Sequence, residues 1–335
     1  MSAPLRCALL SAAHVHADSY AHALQELDET VLVAVWDNEP ARGQAFAARY
    51  GVPFAPDLTA LLAGSDLDAV VITAENVRHP DLGEAACRAG KHVLCEKPLA
   101  MTHEGAEAMI AAARQAGVVL ATAFPMRHNL SARRVKETLR SGTLGRVLAV
   151  RATNHGQVPP GWFLDPALSG GGAVMDHTVH VADLLRWYLE DEPMEVYAEI
   201  SHGLHGLPVD DAAFLTIGFR SGVVATLDPS WSRPVSFPTW GGVTMEIACE
   251  GGTMQLDSSA QHITLYPTPE RRTEWLSFRP NVDAAMIRDF AQAVRTGERP
   301  AADGRDGERA MAVALAAYES ARSGQPATIP QEGAR

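Results

Sequence analysis

Lysine has nearly vanished from this sequence, so a lysine kept at a chemically exposed position carries weight. Of the 28 basic residues only Lys91, Lys97 and Lys136 are lysines. Lys97 lies in Glu96-Lys97-Pro98, directly after the apolar run Val93-Leu94-Cys95. That spacing puts it at the C-terminal end of a strand, the edge where open α/β sheets bind ligands. An ammonium there can stabilise a developing negative charge, and it can give up a proton as a guanidinium cannot. A second reactive group follows Ser169-Gly170-Gly171-Gly172. Asp176, His180 and Asp183 stand at i, i+4 and i+7 and share one helical face. His177 points about 100° away from that face, at 3.6 residues per turn. An imidazole titrating near neutrality suits removal of a hydroxyl proton, with the acid orienting the hydroxyl or the ring. The three glycines are expected to let a backbone approach a ligand and to feed it to a helix N-terminus.

The first strand is followed by Ser11-Ala12-Ala13-His14-Val15-His16, where a dinucleotide fold wants G-x-G-x-x-G. No glycine is present. The residues at 11 to 13 stay small, so a backbone can still approach a pyrophosphate, and the helix N-terminus remains an anion site. Ser11, Ala12, Ala13, His14 and Val15 are therefore assigned to the cofactor, with Ser11 and His14 as the hydrogen-bonding side chains. The pair His14 and His16 could also be a fragment of a metal site, but a helix start facing phosphate is the context the sequence favours. After strand two come Trp36-Asp37-Asn38; an acid here takes ribose hydroxyls and repels a 2′-phosphate, which favours NAD, while Arg42 leaves NADP open. Asn38, Thr73 at the end of the third strand, Glu96 and Lys97 complete the expected cofactor set. Arg127, His155 and Trp162 join Lys97, Asp176, His177 and His180 as candidate substrate contacts. Asn154 and Asp165 are further pocket candidates; His202 and His205 sit in a glycine-rich loop and are expected to be solvated.

These residues need a scaffold, and the first 120 or so positions supply one. Strand patterns at Leu5–Leu10, Thr30–Trp36, Ala69–Thr73, His92–Cys95 and Val118–Ala123 alternate with helices at 17–27, 40–50, 57–63, 81–89 and 102–115. Short apolar strands alternating with helices predict a parallel, doubly wound sheet. After a helix at 130–141 the pattern changes. Strands are expected at 147–154, 195–201, 212–219, 223–230, 244–248, 252–256 and 262–266, interrupted by one helix at 173–189. Successive strands with Gly-rich turns predict a mostly antiparallel open sheet with one face covered. Helices at 283–295 and 307–322 close the chain. The expected division is residues 1–123, a dinucleotide-binding domain, and 124–335, an α+β substrate and oligomerisation domain.

Composition narrows the function. The 335 residues suit two domains. A net charge of -12 argues against nucleic acid, whose phosphates want a basic face. No apolar run reaches the roughly 18 residues of a membrane span, and the N-terminus lacks a signal-like pattern. The four cysteines lack CxxC spacing, as expected for buried thiols in a reducing compartment, the cytoplasm.

Gly90-Lys91-His92-Val93-Leu94-Cys95-Glu96-Lys97-Pro98-Leu99-Ala100 resembles the signature of the Gfo/Idh/MocA oxidoreductases, the family of glucose–fructose oxidoreductase and inositol dehydrogenase. The Ser-Gly-Gly-Gly segment with Asp176 and His180 is similar to that family's second motif. The resemblance implies a Rossmann domain followed by an open-sheet domain, NAD or NADP as cofactor, a sugar, cyclitol or polyol as substrate, and a homodimer or homotetramer. It assigns the family's lysine, acid and histidine to Lys97, Asp176 and His180, and it places Pro98 where the family often has a cis bond. Two readings from other classes stay open on residues alone. One is a metal-dependent lyase or hydrolase using His14, His16, His155, His177 and His180 with Asp176. The other is a non-catalytic ligand sensor that has lost the loop glycines.

Overall fold

The computed structural model describes residues 3–265, 274–278 and 280–331. In chain order the elements are β1 (Leu5–Leu10), α1 (Ala17–Glu26), β2 (Thr30–Trp36), α2 (Pro40–Tyr50), α3 (Leu58–Ala63), β3 (Ala69–Ile72), α4 (His79–Arg88), β4 (His92–Cys95), α5 (His103–Ala116) and β5 (Leu120–Thr122). Next come α6 (Leu130–Arg140), β6 (Val147–Gly156), α7 (Pro166–Ser169), α8 (Ala173–Leu189), β7 (Pro193–Ser201), β8 (Ala212–Phe219) and β9 (Val224–Asp228). The last are β10 (Gly241–Cys249), β11 (Gly252–Asp257), β12 (His262–Leu265), β13 (Glu274–Ser277), α9 (Val282–Thr296), α10 (Gly304–Ser323) and β14 (Ala327–Thr328). Tyr266, the expected end of β12, lies outside the described residues.

The chain forms two compact units, residues 1–125 with 281–308 and residues 126–280 with 309–335. The first holds a five-stranded parallel sheet in the order β2-β1-β3-β4-β5. Its strands are apolar on both faces, as a sheet covered by helices requires. The sequence division assigned everything after residue 123 to the second domain; residues 281–308 instead belong to the first unit. Helix α9 brings Met286, Ile287, Phe290 and Ala291 into the core built by Leu9, Tyr20, Leu24 and Val71. The Thr122 N–H then donates to the Ala302 carbonyl at 3.1 Å, which ties the returning chain to β5. Amphipathic periodicity identifies α9 as a helix but says nothing about which sheet it covers.

The second unit carries a seven-stranded sheet in the order β11-β10-β6-β9-β8-β7-β14, and a separate hairpin of β12 and β13. It is antiparallel except for β6 beside β9, which pair in parallel. Helix α8 packs on one face of it. The other face leaves Leu148, Phe214 and Val224 exposed, Phe214 by 68 %. No helix among the described residues is long and apolar enough to cross a membrane.

Candidate active site

In the first unit Glu96 and Lys97 follow β4 and are buried, at 1 % and 3 % exposure. The Glu96 N–H donates to the Ile72 carbonyl at 3.0 Å, extending the β3–β4 pairing by one step. The Lys97 N–H donates to Glu96 Oε2 at 2.9 Å, and the Lys97–Pro98 bond is cis. His79, absent from the sequence candidates, supports this turn from below. Its Nδ1 lies 2.8 Å from the Pro98 carbonyl and its Nε2 3.1 Å from the Ala74 carbonyl. Burial pulls the His79 imidazole below its ordinary range. The local signal was present in Arg78-His79-Pro80, a histidine at a helix start just past a strand end, but its partner turn lies 19 residues on.

The glycine-free loop folds by having Ser11 adopt φ 70°, the left-handed conformation that a glycine would take without strain. Its surroundings hold it there: the Ser11 N–H donates to the Trp36 carbonyl at 2.6 Å, and the Thr73 hydroxyl donates to the Ser11 carbonyl. Thr73, expected at the cofactor, thus anchors the loop with both its hydroxyl and its carbonyl, which accepts the His14 N–H at 3.0 Å. Asp37 is fully engaged within the protein. Its carboxylate accepts the Ala12 N–H and the Glu39 N–H, both at 2.8 Å, and a forked pair from Arg42 at 2.9 and 2.7 Å. The same guanidinium reaches Ser11 Oγ at 3.1 Å and Asn38 Oδ1 and Glu75 at 3.3 Å. Asp37, the expected ribose acceptor, also organises Arg42 and the loop in this arrangement. Val15 points outward, 45 % exposed.

His16, rather than His14, makes the short contact to Glu96. Its Nδ1 is 2.8 Å from Glu96 Oε1, and the His14 Nδ1 is 3.6 Å from the same oxygen. Burial disfavours the His16 cation, yet the Glu96 charge outweighs burial and raises its pKa. Burial likewise opposes ionised Glu96, but His14, His16 and Lys97 together hold it well below the usual carboxylate range.

In the second unit the triple glycine serves the protein's own side chains. A Cβ at Gly172 would fall 1.8 Å from the Asp210 carbonyl oxygen. That close approach lets the Asp210 carboxylate cap α8, accepting the Gly172 N–H at 2.9 Å and the Val174 N–H at 2.8 Å. Tyr318 donates to the same carboxylate at 2.7 Å, and its hydroxyl also accepts the N–H groups of Gly172 and Met175, each at 3.2 Å. The expected ligand at this helix start is therefore replaced by a resident acid, which complements the helix dipole. One turn into α8, Asp176 accepts from Trp231 Nε1 at 3.3 Å and lies 3.3 Å from His177 Nε2. His177 does not face outward as a substrate contact; it is buried, its Nδ1 2.9 Å from the Pro229 carbonyl. Gly156 makes room for that ring, because a Cβ there would sit 2.4 Å from His177 Cε1. His180 is half-buried one turn further along α8.

The other candidates have partners within the same unit. Arg127 is buried and forked onto Asp183 at 2.9 and 2.6 Å, which ties it to α8. Asn154 donates to the His177 carbonyl at 3.0 Å. His155 pairs with Asp228 at 2.9 Å. Trp162 stacks on Phe163 with centroids 3.9 Å apart, and Asp165 caps α7 through the Ala167 N–H at 2.9 Å. His205 lies 2.8 Å from the Trp231 carbonyl while remaining exposed, as does His202.

Known families match both units. The profile of an oxidoreductase family with an NAD-binding Rossmann fold covers residues 6–124, and that of the GFO/IDH/MocA C-terminal domain covers residues 132–255. A 1,5-anhydro-D-fructose reductase of Ensifer adhaerens is 34% identical over 308 residues, 89% of this chain and 91% of the reductase. The chain belongs to the GFO/IDH/MocA oxidoreductase family. A myo-inositol 2-dehydrogenase of Thermotoga maritima is 28% identical over 91% of this chain and 92% of its own. The crystal structure of GenD2 from gentamicin A biosynthesis, in complex with NAD, matches 99% of this chain and 98% of that one with a TM-score of 0.90 at 25% identity.

As a GFO/IDH/MocA oxidoreductase of an NAD-binding Rossmann family, this chain has to accommodate a dinucleotide, and the loop after β1 carries no glycine. Ser11 takes the left-handed turn, Ala12 and Ala13 keep side chains to a methyl group, and α1 begins at Ala17 behind them. These features fit the cofactor. The metal-dependent lyase or hydrolase is set aside by the family, and the histidines proposed for it are otherwise engaged in the second unit, His155 with Asp228 and His177 with Pro229.

Proposed function

We propose that the enzyme moves a hydride between NAD and a secondary alcohol of a sugar, cyclitol or related polyol. The observation that carries this is Lys97, a buried lysine at a strand end whose backbone turn is fixed by the Lys97 N–H bond to Glu96 and by the His79 contact to the Pro98 carbonyl, in an oxidoreductase chain. The reductase and inositol dehydrogenase relatives support the substrate class. Ser11, Ala12, Ala13 and the start of α1 would hold the dinucleotide, which supplies the hydride acceptor when bound. Lys97 stabilises the alkoxide as it forms, His180 takes the hydroxyl proton, and Asp176, steadied by Trp231 and His177, orients the hydroxyl. Asp37 favours NAD over NADP, with Arg42 the residue that could admit a 2′-phosphate. The exposed apolar sheet face around Leu148 and Phe214 supports a homodimer or homotetramer, and four buried free cysteines support a cytoplasmic enzyme.

A panel of sugars, cyclitols and their keto forms, followed by nicotinamide absorbance, tests the class. Lys97→Met should lower kcat by about 2.7–4 kcal/mol of barrier with little change in NADH affinity. His180→Asn should flatten the pH–rate profile or abolish turnover. Near-wild-type turnover in Lys97→Met, or an unchanged profile in His180→Asn, would remove those residues from their roles.

A further inference from the structure

We propose that His14, His16 and Glu96 form a binding site for a divalent transition-metal ion of the zinc class. Two imidazoles and a carboxylate each offer one donor atom there, and the three atoms lie within 4.8 Å of one another. Zinc takes histidine nitrogen and carboxylate oxygen at about 2.0–2.2 Å, which places tetrahedral donors on one ion roughly 3–4 Å apart. The two imidazole-to-carboxylate separations, 2.8 and 3.6 Å, sit around that range before any ion draws the donors in.

Proton placement points the same way. The His16 backbone N–H donates to His14 Nδ1 at 3.1 Å, so in the neutral ring that nitrogen presents a lone pair. It nevertheless faces Glu96 Oε1, itself an acceptor. Two facing acceptors are the arrangement that a cation fills, and a hydrogen on His16 Nδ1 now bridges only one side of it. When an ion enters, His16 Nδ1 gives its proton to solvent, and the His14 lone pair turns from the backbone N–H to the metal. Both imidazoles then bind as neutral ligands and Glu96 as an anion, the protonation states that coordination requires.

The surroundings hold the donors in place. Glu96 Oε2 is fixed by the Lys97 N–H, which leaves Oε1 for the imidazoles and supplies the outer-shell hydrogen bond that orients a carboxylate ligand. Tyr20, fully buried, packs its ring 5.8 Å from that of His16. The His16 side chain is 34% exposed, which gives the ion a way in and a water position to complete four-coordination. This inference goes beyond hydride transfer and does not depend on it.

The test uses the full-length protein stripped with chelator and then titrated with Co²⁺ alone. One equivalent should bind, with the visible d–d bands of a four-coordinate ion, and Zn²⁺ should displace it. His16→Gln should weaken cobalt binding at least about ten-fold, as should His14→Gln, whereas His22→Gln, an exposed histidine on α1, should leave it unchanged. Glu96 is buried and Glu96→Gln could unfold the chain, so the partly exposed His16 decides, with circular dichroism confirming its fold. Cobalt binding lost in His16→Gln with its fold intact supports the site, and a parallel NADH titration of the wild type reads the dinucleotide separately. No cobalt binding by wild type below millimolar concentration, or equal binding by His16→Gln, overturns it.

Discussion

Replacing Ser11 by glycine and by alanine separates what its backbone costs from what its side chain contributes. The φ of 70° at a non-glycine residue carries a strain of about 1–2 kcal/mol. Against this, Ser11 Oγ accepts the Ala13 N–H at 3.3 Å and an Arg42 N–H at 3.1 Å. Two partly buried bonds of that length contribute about 1–2 kcal/mol together. Ser11→Ala loses the bonds and keeps the strain, so it should destabilise the protein by about 1–2 kcal/mol. Ser11→Gly loses the same bonds but relieves the strain, offset by about 0.5–1 kcal/mol of extra freedom in the unfolded chain. Glycine should therefore be more stable than alanine by roughly 0.5–1 kcal/mol and a little less stable than serine. Urea unfolding of the three proteins, followed at one wavelength and at matched protein concentration, measures the order. Alanine equal to or above glycine would refute the strained turn and, with it, the account of how the loop manages without glycine.

Three further outcomes follow from contacts described above. Asp210→Ala removes the cap of α8 and the partner of the Tyr318 hydroxyl, and should cost about 2–4 kcal/mol in thermal or urea unfolding. Wild-type NADH affinity should exceed that for NADPH by isothermal titration. Asp37→Ser should narrow the gap while also destabilising the fold by about 2–4 kcal/mol, since it strips two backbone N–H groups and Arg42 of their acceptor. Glu192 lies between Arg186 at 2.6 Å and Arg309 at 3.1 Å; burial raises its pKa, but the two guanidinium groups prevail and the folded value is lowered. Its contribution is thus complete above the unfolded value near about 4.3 and is lost as pH falls through the lower folded value, so Glu192→Gln should show a shallower loss of stability below about pH 4.

The sequence made visible whatever depends on neighbours along the chain. Helix α8 was bounded at 173 and 189 from periodicity and its glycines, and β4 with Lys97 at its end from a short apolar run. The purpose of those glycines was not visible, because Asp210 and Tyr318 stand 38 and 146 residues from Gly172. The same distance hid the bond between His16 and Glu96, 80 residues apart, and left Asp37 looking available when Arg42 already held it. Arg127 read as a pocket residue since its partner Asp183 was counted with the reactive stripe of α8. Residue types and spacing are local facts; which polar groups satisfy one another is a long-range one.

The return of residues 281–308 to the first unit sets an order on synthesis. A ribosome completes β1 to β5 early, yet the core they share with Phe290 stays open until more than a hundred and fifty further residues have emerged. Until then Leu9, Tyr20 and Leu24 lack the cover that α9 gives them. A nonsense mutation anywhere between β5 and α9 would consequently strip the nucleotide-binding unit of part of its interior, although every strand of that unit had already been translated.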